Sequence, residues 1–145
     1  VHHSSRQLVW LANWRFHFLE AVLYRALLYV PLALAGFSDQ ALFANGVFGT
    51  LMGHYEHANF RLHPGITKYL LNSPQMHVWH HVHASAGPVN KNFGIALSCW
   101  DWIFGTAYMP EREPERLGFT GDESYPESWW GQTAAPFLKF AKRQK

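Results

Sequence analysis

Residues 16–37 read FHFLEAVLYRALLYVPLALAGF, a long apolar stretch that decides the fold class of this 145-residue chain. A helix of about 20 residues is roughly 30 Å long, which is enough to cross most of a bilayer. Ser38, Asp39 and Gln40 form a turn in which Ser38 or Asp39 is suited to cap a second helix. The second apolar stretch, residues 41–60, reads ALFANGVFGTLMGHYEHANF. We therefore predict an all-α fold built on a helical hairpin.

The charges around this hairpin favour a membrane location. No Lys or Arg occurs between Arg25 and Arg61, whereas Arg6 and Arg15 precede the first helix. An uncharged tip with positive residues at both ends is typical of a transmembrane hairpin whose ends lie on the cytoplasmic side. Glu20 and Arg25 would have to lie near a helix end or face protein. A hairpin buried in a soluble helical bundle is the alternative that this pattern leaves open.

The densest histidine cluster lies on a third predicted helix. We expect a short connecting helix over residues 61–72. Asn72-Ser73-Pro74 is a typical helix start, and we expect the helix that begins there to end at Gly87-Pro88. It carries three histidines three or four residues apart, so their rings share one face: His77, His80 and His81. Imidazoles that converge in this way form nitrogen-rich metal sites. We predict that these three side chains bind metal.

Two further histidine pairs are candidate ligands. His54 and His57 are three residues apart near the end of the second apolar stretch, where burial would be costly without a partner. His2 and His3 open the chain, which begins without Met, and we expect them to be the end of a motif that starts upstream. The histidines that we expect to be structural are His17, His63 and His83.

The composition excludes several classes of protein. A net charge of +2 is too small to indicate nucleic-acid binding, and the single Cys99 excludes a disulfide framework or a cysteine-based zinc cage. There is no His-Glu-x-x-His motif of a zinc protease, and no Glu is followed three residues later by His as in carboxylate-rich di-iron bundles. Imidazole ligands suit iron, zinc or copper, and ligand type alone leaves that choice open.

Short segments from one end of the chain to the other form an ordered set. They are HHSS (2–5), RFHFLE (15–20), HAN (57–59), PQMHVWHH (74–81), and NFG (92–94) with WDWIFGT (100–106). In this order they resemble the histidine boxes and flanking motifs of the fatty acid hydroxylase and sterol desaturase superfamily of integral-membrane enzymes. Phe18 departs from the family's R-x-H-P-x-E pattern, which has proline there. The family's first box would lie upstream of Val1, so we expect residues 1–121 to be the C-terminal two-thirds of such a domain and 122–145 a polar tail.

The resemblance implies a centre of two iron ions on the cytoplasmic side of the membrane. It implies O2 as co-substrate and hydroxylation or desaturation of a lipid at an unactivated C–H bond, with electrons from a separate redox protein. The ligands it implies in this chain are His2, His3, His57, His77, His80 and His81, and the spacing to His57 adds His54 as a candidate whose role stays open. Asn92 and Asp101 are candidates to orient ligand imidazoles through their second ring nitrogen, or alternatively to shape a turn. Without the first box, we expect these residues on their own to be inactive.

Two other functions remain possible from the sequence. The first is a non-catalytic membrane protein that keeps the fold with a structural metal. The second is a zinc-dependent lipid hydrolase, which needs a carboxylate base. For that base the chain offers Glu56, beside His57.

Overall fold

The structure, a computed structural model, describes residues 1–61 and 63–143. The α-helices of this part are α1 (Phe18–Leu34), α2 (Asp39–Glu56), α3 (Pro74–His80), α4 (Cys99–Phe104) and α5 (Trp129–Arg143). Short 3-10 turns lie at His2–Ser4, Trp10–Trp14, Gly65–Tyr69 and Asp122–Ser124. Within the described residues, β pairing is limited to one isolated bridge between Val82 and Leu117. The prediction of an all-α fold is confirmed.

Helix α1 begins at a capping box. Nδ1 of His17 accepts a hydrogen bond from the backbone N–H of Leu19, and Glu20 accepts one from the backbone N–H of His17. Because Nδ1 accepts, Nε2 carries the ring hydrogen and donates it to the backbone oxygen of Thr133 on α5, 3.0 Å away. The RFHFLE segment therefore caps a helix, and His17 is structural as the sequence predicts.

Helix α2 is capped by Ser38, whose Oγ accepts a hydrogen bond from the backbone N–H of Ala41, and it packs beside α1. The helical pair that the two apolar stretches predict is therefore present. No helix in 1–61 or 63–143 combines the length and the apolar character that a membrane span requires. The crossing of a membrane by this pair remains a prediction.

Helix α3 starts where the sequence predicts and ends earlier. Ser73 accepts a hydrogen bond from the N–H of Met76, but the predicted end at Gly87-Pro88 is wrong because the helix stops at His80. The carbonyl of His81 is instead bonded by the N–H of Gly118, at 2.9 Å. This pairing with a distant segment satisfies backbone groups that a longer helix would have used. The connecting helix predicted over 61–72 is also shorter, a 3-10 turn at Gly65–Tyr69.

Buried side chains concentrate around α3. Met76 and Trp79 are 0% and 1% exposed, whereas Leu27 on α1 and Phe43 on α2 are 76% and 74% exposed. The predicted polar tail contains α5, which contacts the N-terminal segment through the hydrogen bond between His17 and Thr133. Gln144 and Lys145, which end that tail, lie outside the described residues.

Candidate metal centre

Four imidazoles from separate parts of the chain converge beside α3. His2 comes from the first turn, His57 follows α2, and His77 and His81 lie in and just after α3. Each offers one ligand atom, and these four atoms lie within 4.8 Å of one another. Their Nε2 atoms form a connected series, with 3.3 Å from His57 to His2, 3.1 Å from His77 to His57, and 3.1 Å from His81 to His77. The fold thus brings together ligands that are far apart in sequence.

Two of the histidine rings are oriented by backbone carbonyls. Nδ1 of His57 lies 2.7 Å from the carbonyl oxygen of Gly53, and Nδ1 of His80 lies 3.0 Å from that of Lys91. A carbonyl oxygen can only accept, so in each case Nδ1 is the donor and the neutral ring has a bare Nε2. A bare Nε2 is the form that binds metal, and a fixed second nitrogen holds the ring in place. The sequence predicts the two rings but not the two carbonyls.

His3 and His80 form a second pair of rings beside the four. Their ring centres are 4.8 Å apart, and the His3 ring stacks on that of His81 at 4.5 Å. The His80 ring also stacks on that of His77, at 5.4 Å. Six of the seven predicted ligands therefore form one group of contacting rings. All three histidines of the H-x-x-H-H motif belong to this group.

Burial keeps these imidazoles uncharged. It lowers the pKa of His2 to about 3 and that of His3 to about 4, with the neighbouring His57 and His80 adding to the respective shifts. Burial, reinforced by the surrounding rings, also holds the pKa values of His77 and His81 well below the usual range. Neutral imidazole is the form that binds metal. These rings are already neutral at pH 7, so no proton has to leave them before a metal binds.

The cluster fits a bound cation better than a hydrogen-bonded network of rings. The single bare lone pair on Nε2 of His57 faces Nε2 of both His2 and His77, and it cannot form a good hydrogen bond to each. In addition, the Nδ1 atoms of His2, His77 and His81 are buried without a hydrogen-bond partner among the described residues. Coordination of Nε2 lone pairs to a cation relieves the crowding at the centre. Four neutral nitrogen donors suit iron, zinc or copper alike.

A buried carboxyl group lies behind the cluster. Glu56, the last residue of α2, is 1% exposed, and its Oε2 lies 3.6 Å from Nδ1 of His77. Its Oε1 has no hydrogen-bond partner among the described residues. From the sequence, Glu56 is a candidate only for the base of a hydrolase. Its place directly before the predicted ligand His57 is the feature that could have indicated a position near the metal centre.

His54 lies apart from the other predicted ligands. Its Nδ1 donates to the backbone oxygen of Trp10 at 2.9 Å, and its Nε2 accepts from the indole N–H of Trp14 at 3.0 Å. Both ring nitrogens are therefore engaged in holding the Trp10–Trp14 turn against α2. The His54 ring faces this turn and the His57 ring faces His2 and His77, so their three-residue spacing does not put them in one site.

Asn92 and Asp101 do not contact an imidazole, so the orienting role predicted for them is corrected. The Asn92 amide donates to two backbone carbonyls at 2.6 and 2.7 Å, and the Asp101 carboxylate accepts from two backbone amides at 2.7 and 2.8 Å. These bonds shape the loop after α3, which is the alternative that the sequence left open. That loop includes Lys91, whose carbonyl orients His80.

Comparisons with known proteins give a matching family and one curated relative. Residues 1–106 match the sequence profile of the family described as fatty acid hydroxylase. The chain is 29% identical over 145 residues to the ornithine lipid hydroxylase OlsE of Rhizobium tropici. That alignment covers 99% of this chain and 43% of the relative, so the chain spans less than half of the relative's length. No solved structure matches the chain.

Proposed function

Because this chain belongs to the fatty acid hydroxylase family, we propose that the protein containing it is an oxidoreductase that hydroxylates or desaturates a lipid with O2. The reaction would take place at an unactivated C–H bond, at a centre of two iron ions. The observation that carries this proposal is the convergence of the ligand atoms of His2, His57, His77 and His81 within 4.8 Å. The donors in that group are imidazoles, a ligand type that suits iron.

Six histidines of this chain would hold the metal: His2, His3, His57, His77, His80 and His81. Iron bound there supplies the activation of O2 that cleavage of an unactivated C–H bond needs. The chain's own part is to keep the rings neutral by burial and to aim them, through the carbonyls of Gly53 and Lys91. We expect the remaining ligands of the second ion in the part of the protein that this chain does not cover.

The surface supports a lipid substrate and a membrane-bound protein. Apolar side chains on the α1 and α2 pair are strongly exposed, among them Leu27, Leu34 and Phe43 at 76%, 84% and 74%. Exposed apolar side chains in such number are typical of surfaces that meet lipid or another apolar partner. We propose that this pair contacts the bilayer, with the metal centre on its cytoplasmic side and a separate redox protein as electron donor. OlsE is named for ornithine lipid, which is the first substrate to test.

The test combines metal analysis with turnover, on the full-length protein purified in detergent. We expect about two irons per chain and O2-dependent addition of a hydroxyl group, or formation of a double bond, in a supplied lipid. His77→Ala should lose both iron and product. His63→Ala, which removes an exposed histidine outside the cluster, should retain both. Zinc alone, or product formation by His77→Ala, would contradict the proposal, and a metal without turnover on any lipid would favour the non-catalytic alternative.

A further inference from the structure

The contact between Glu56 and His77 joins two buried side chains, each of which has one atom without a hydrogen-bond partner among the described residues. Oε2 of Glu56 lies 3.6 Å from Nδ1 of His77, and the two side chains are 1% and 9% exposed. Neither Oε1 of Glu56 nor Nδ1 of His77 has a hydrogen-bond partner among the described residues. Burial of such groups without a hydrogen bond is costly, so an arrangement of this kind calls for an explanation. The 3.6 Å between Oε2 and Nδ1 exceeds hydrogen-bond distance by only a few tenths of an ångström.

Two other predicted ligands have an acceptor on Nδ1 that His77 lacks. His57 and His80 each have a carbonyl oxygen on Nδ1, at 2.7 and 3.0 Å. No carbonyl orients His77 in the described part of the chain, and the acceptor that faces its Nδ1 is the Glu56 carboxyl. Metal-binding histidines commonly donate their second N–H to a carbonyl or carboxylate, which fixes both tautomer and ring orientation.

We propose that Glu56 is a positioning residue for His77 in the metal centre. Nδ1–H of His77 donates to Oε2 of Glu56, so that Nε2 is bare and directed at the cluster. A carboxyl group can accept this bond through Oε2 whether or not a proton is present on Oε1. The inference rests on the proposed metal centre, because the bond matters only for a ring whose Nε2 binds metal.

The position of Glu56 gives this contact a second effect. Glu56 is the last residue of α2 and directly precedes His57, whereas His77 lies in α3. The end of α2 therefore supplies one ligand and also the acceptor that orients a ligand on another helix. We expect a change at Glu56 to alter the relative placement of His57 and His77, which lie 3.1 Å apart at Nε2.

The first test measures metal affinity with Zn²⁺ as the probe. The metal-free full-length protein is titrated with Zn²⁺ in competition with a chromophoric chelator. Glu56→Ala should weaken binding by about 10- to 100-fold, the usual effect of removing such a partner. Glu56→Gln, whose amide oxygen still accepts a hydrogen bond, should retain most of the affinity. Glu113→Ala, which removes an exposed carboxylate paired with Arg61, is the control and should bind Zn²⁺ like the wild type.

The second test detects the hydrogen bond itself. In Zn²⁺-loaded protein labelled with ¹⁵N-histidine, the Nδ1–H signal of His77 should be present in the wild type and Glu56→Gln, and should shift or exchange rapidly in Glu56→Ala. If Glu56→Ala is unstable, the spectra of the wild type and Glu56→Gln still decide the point. An unprotonated Nδ1 in the wild type contradicts the proposal.

The remaining outcomes separate this inference from the proposed function. Equal Zn²⁺ affinity of the wild type and Glu56→Ala would refute the positioning role and leave the metal centre intact. Loss of one Zn²⁺ per chain in Glu56→Gln, as in His77→Ala, would make Glu56 a ligand and refute the role as stated. Absence of Zn²⁺ and iron binding by the wild type would refute the metal centre itself.

Discussion

Replacing Gly53 and Gly49 by alanine should change stability in opposite directions. Both lie in α2, four residues apart, but a Cβ at Gly53 would be 2.7 Å from Cγ of Asn13, whereas a Cβ at Gly49 has nothing within 4 Å. Alanine is favoured over glycine in a helix by about 1 kcal/mol, so Gly49→Ala should stabilise by up to that amount. At Gly53 the same gain opposes an overpacking cost of about 1–3 kcal/mol. The difference between the two variants isolates the overpacking cost.

The assay is urea unfolding of both variants, in the full-length protein, followed by tryptophan fluorescence. The midpoints should lie on opposite sides of the wild-type midpoint at unchanged slope, which reports a change in stability rather than in compactness. Gly53→Ala should also weaken Zn²⁺ binding, because the Gly53 carbonyl orients His57 and Asn13 lies in the turn packed against α2. If both variants are equally stabilised, the close packing of Asn13 on α2 is refuted.

Three further predictions follow from the hydrogen bonds and buried rings. His54→Ala should cost about 1–2 kcal/mol in urea unfolding through two lost hydrogen bonds and leave the metal content unchanged; a loss of metal would make His54 a ligand. Ser73→Ala removes the cap of α3 and should cost about 1 kcal/mol by the same assay, and an unchanged midpoint would argue against the cap. The metal-free protein should lose stability as the pH falls from 6.5 towards 4. In that range the unfolded chain binds protons that His2 and His3, with pKa values of about 3 and 4, do not bind when folded. The loss should be at most about 1.4 kcal/mol per pH unit for each ring, reduced by partial exposure. A urea midpoint that does not change between pH 7 and pH 4.5 would contradict the burial of these rings.

The helix starts were predictable because their signals are local. Serine is one of the residues favoured at the N-cap position, and Ser38 and Ser73 both cap a helix here. The end of α3 was not predictable, since it depends on the N–H of Gly118, which lies far along the chain. A backbone donor has no residue-specific signal, so no pattern near His81 could reveal it.

The site divides in the same way. Spacing within one helix was sufficient to group His77, His80 and His81, whereas His2 could be connected to them only through the family resemblance. Periodicity also grouped His54 with His57, but both ring nitrogens of His54 are hydrogen-bonded to the Trp10–Trp14 turn, a contact that spacing within α2 cannot reveal. Every residue has a backbone carbonyl, so the sequence does not indicate which carbonyls orient His57 and His80. Only the fold shows that those of Gly53 and Lys91 do so.

The hydrogen bonds formed by residues 107–143 bear on how the protein can be shortened. The family profile ends at residue 106, yet the carbonyl of His81 is bonded by Gly118, and the ring of His17 by Thr133. A gene truncated at the profile boundary would encode a polypeptide with both of these buried groups unsatisfied. We therefore expect a polypeptide that ends at the profile boundary to be less stable than one that includes residues 107–143.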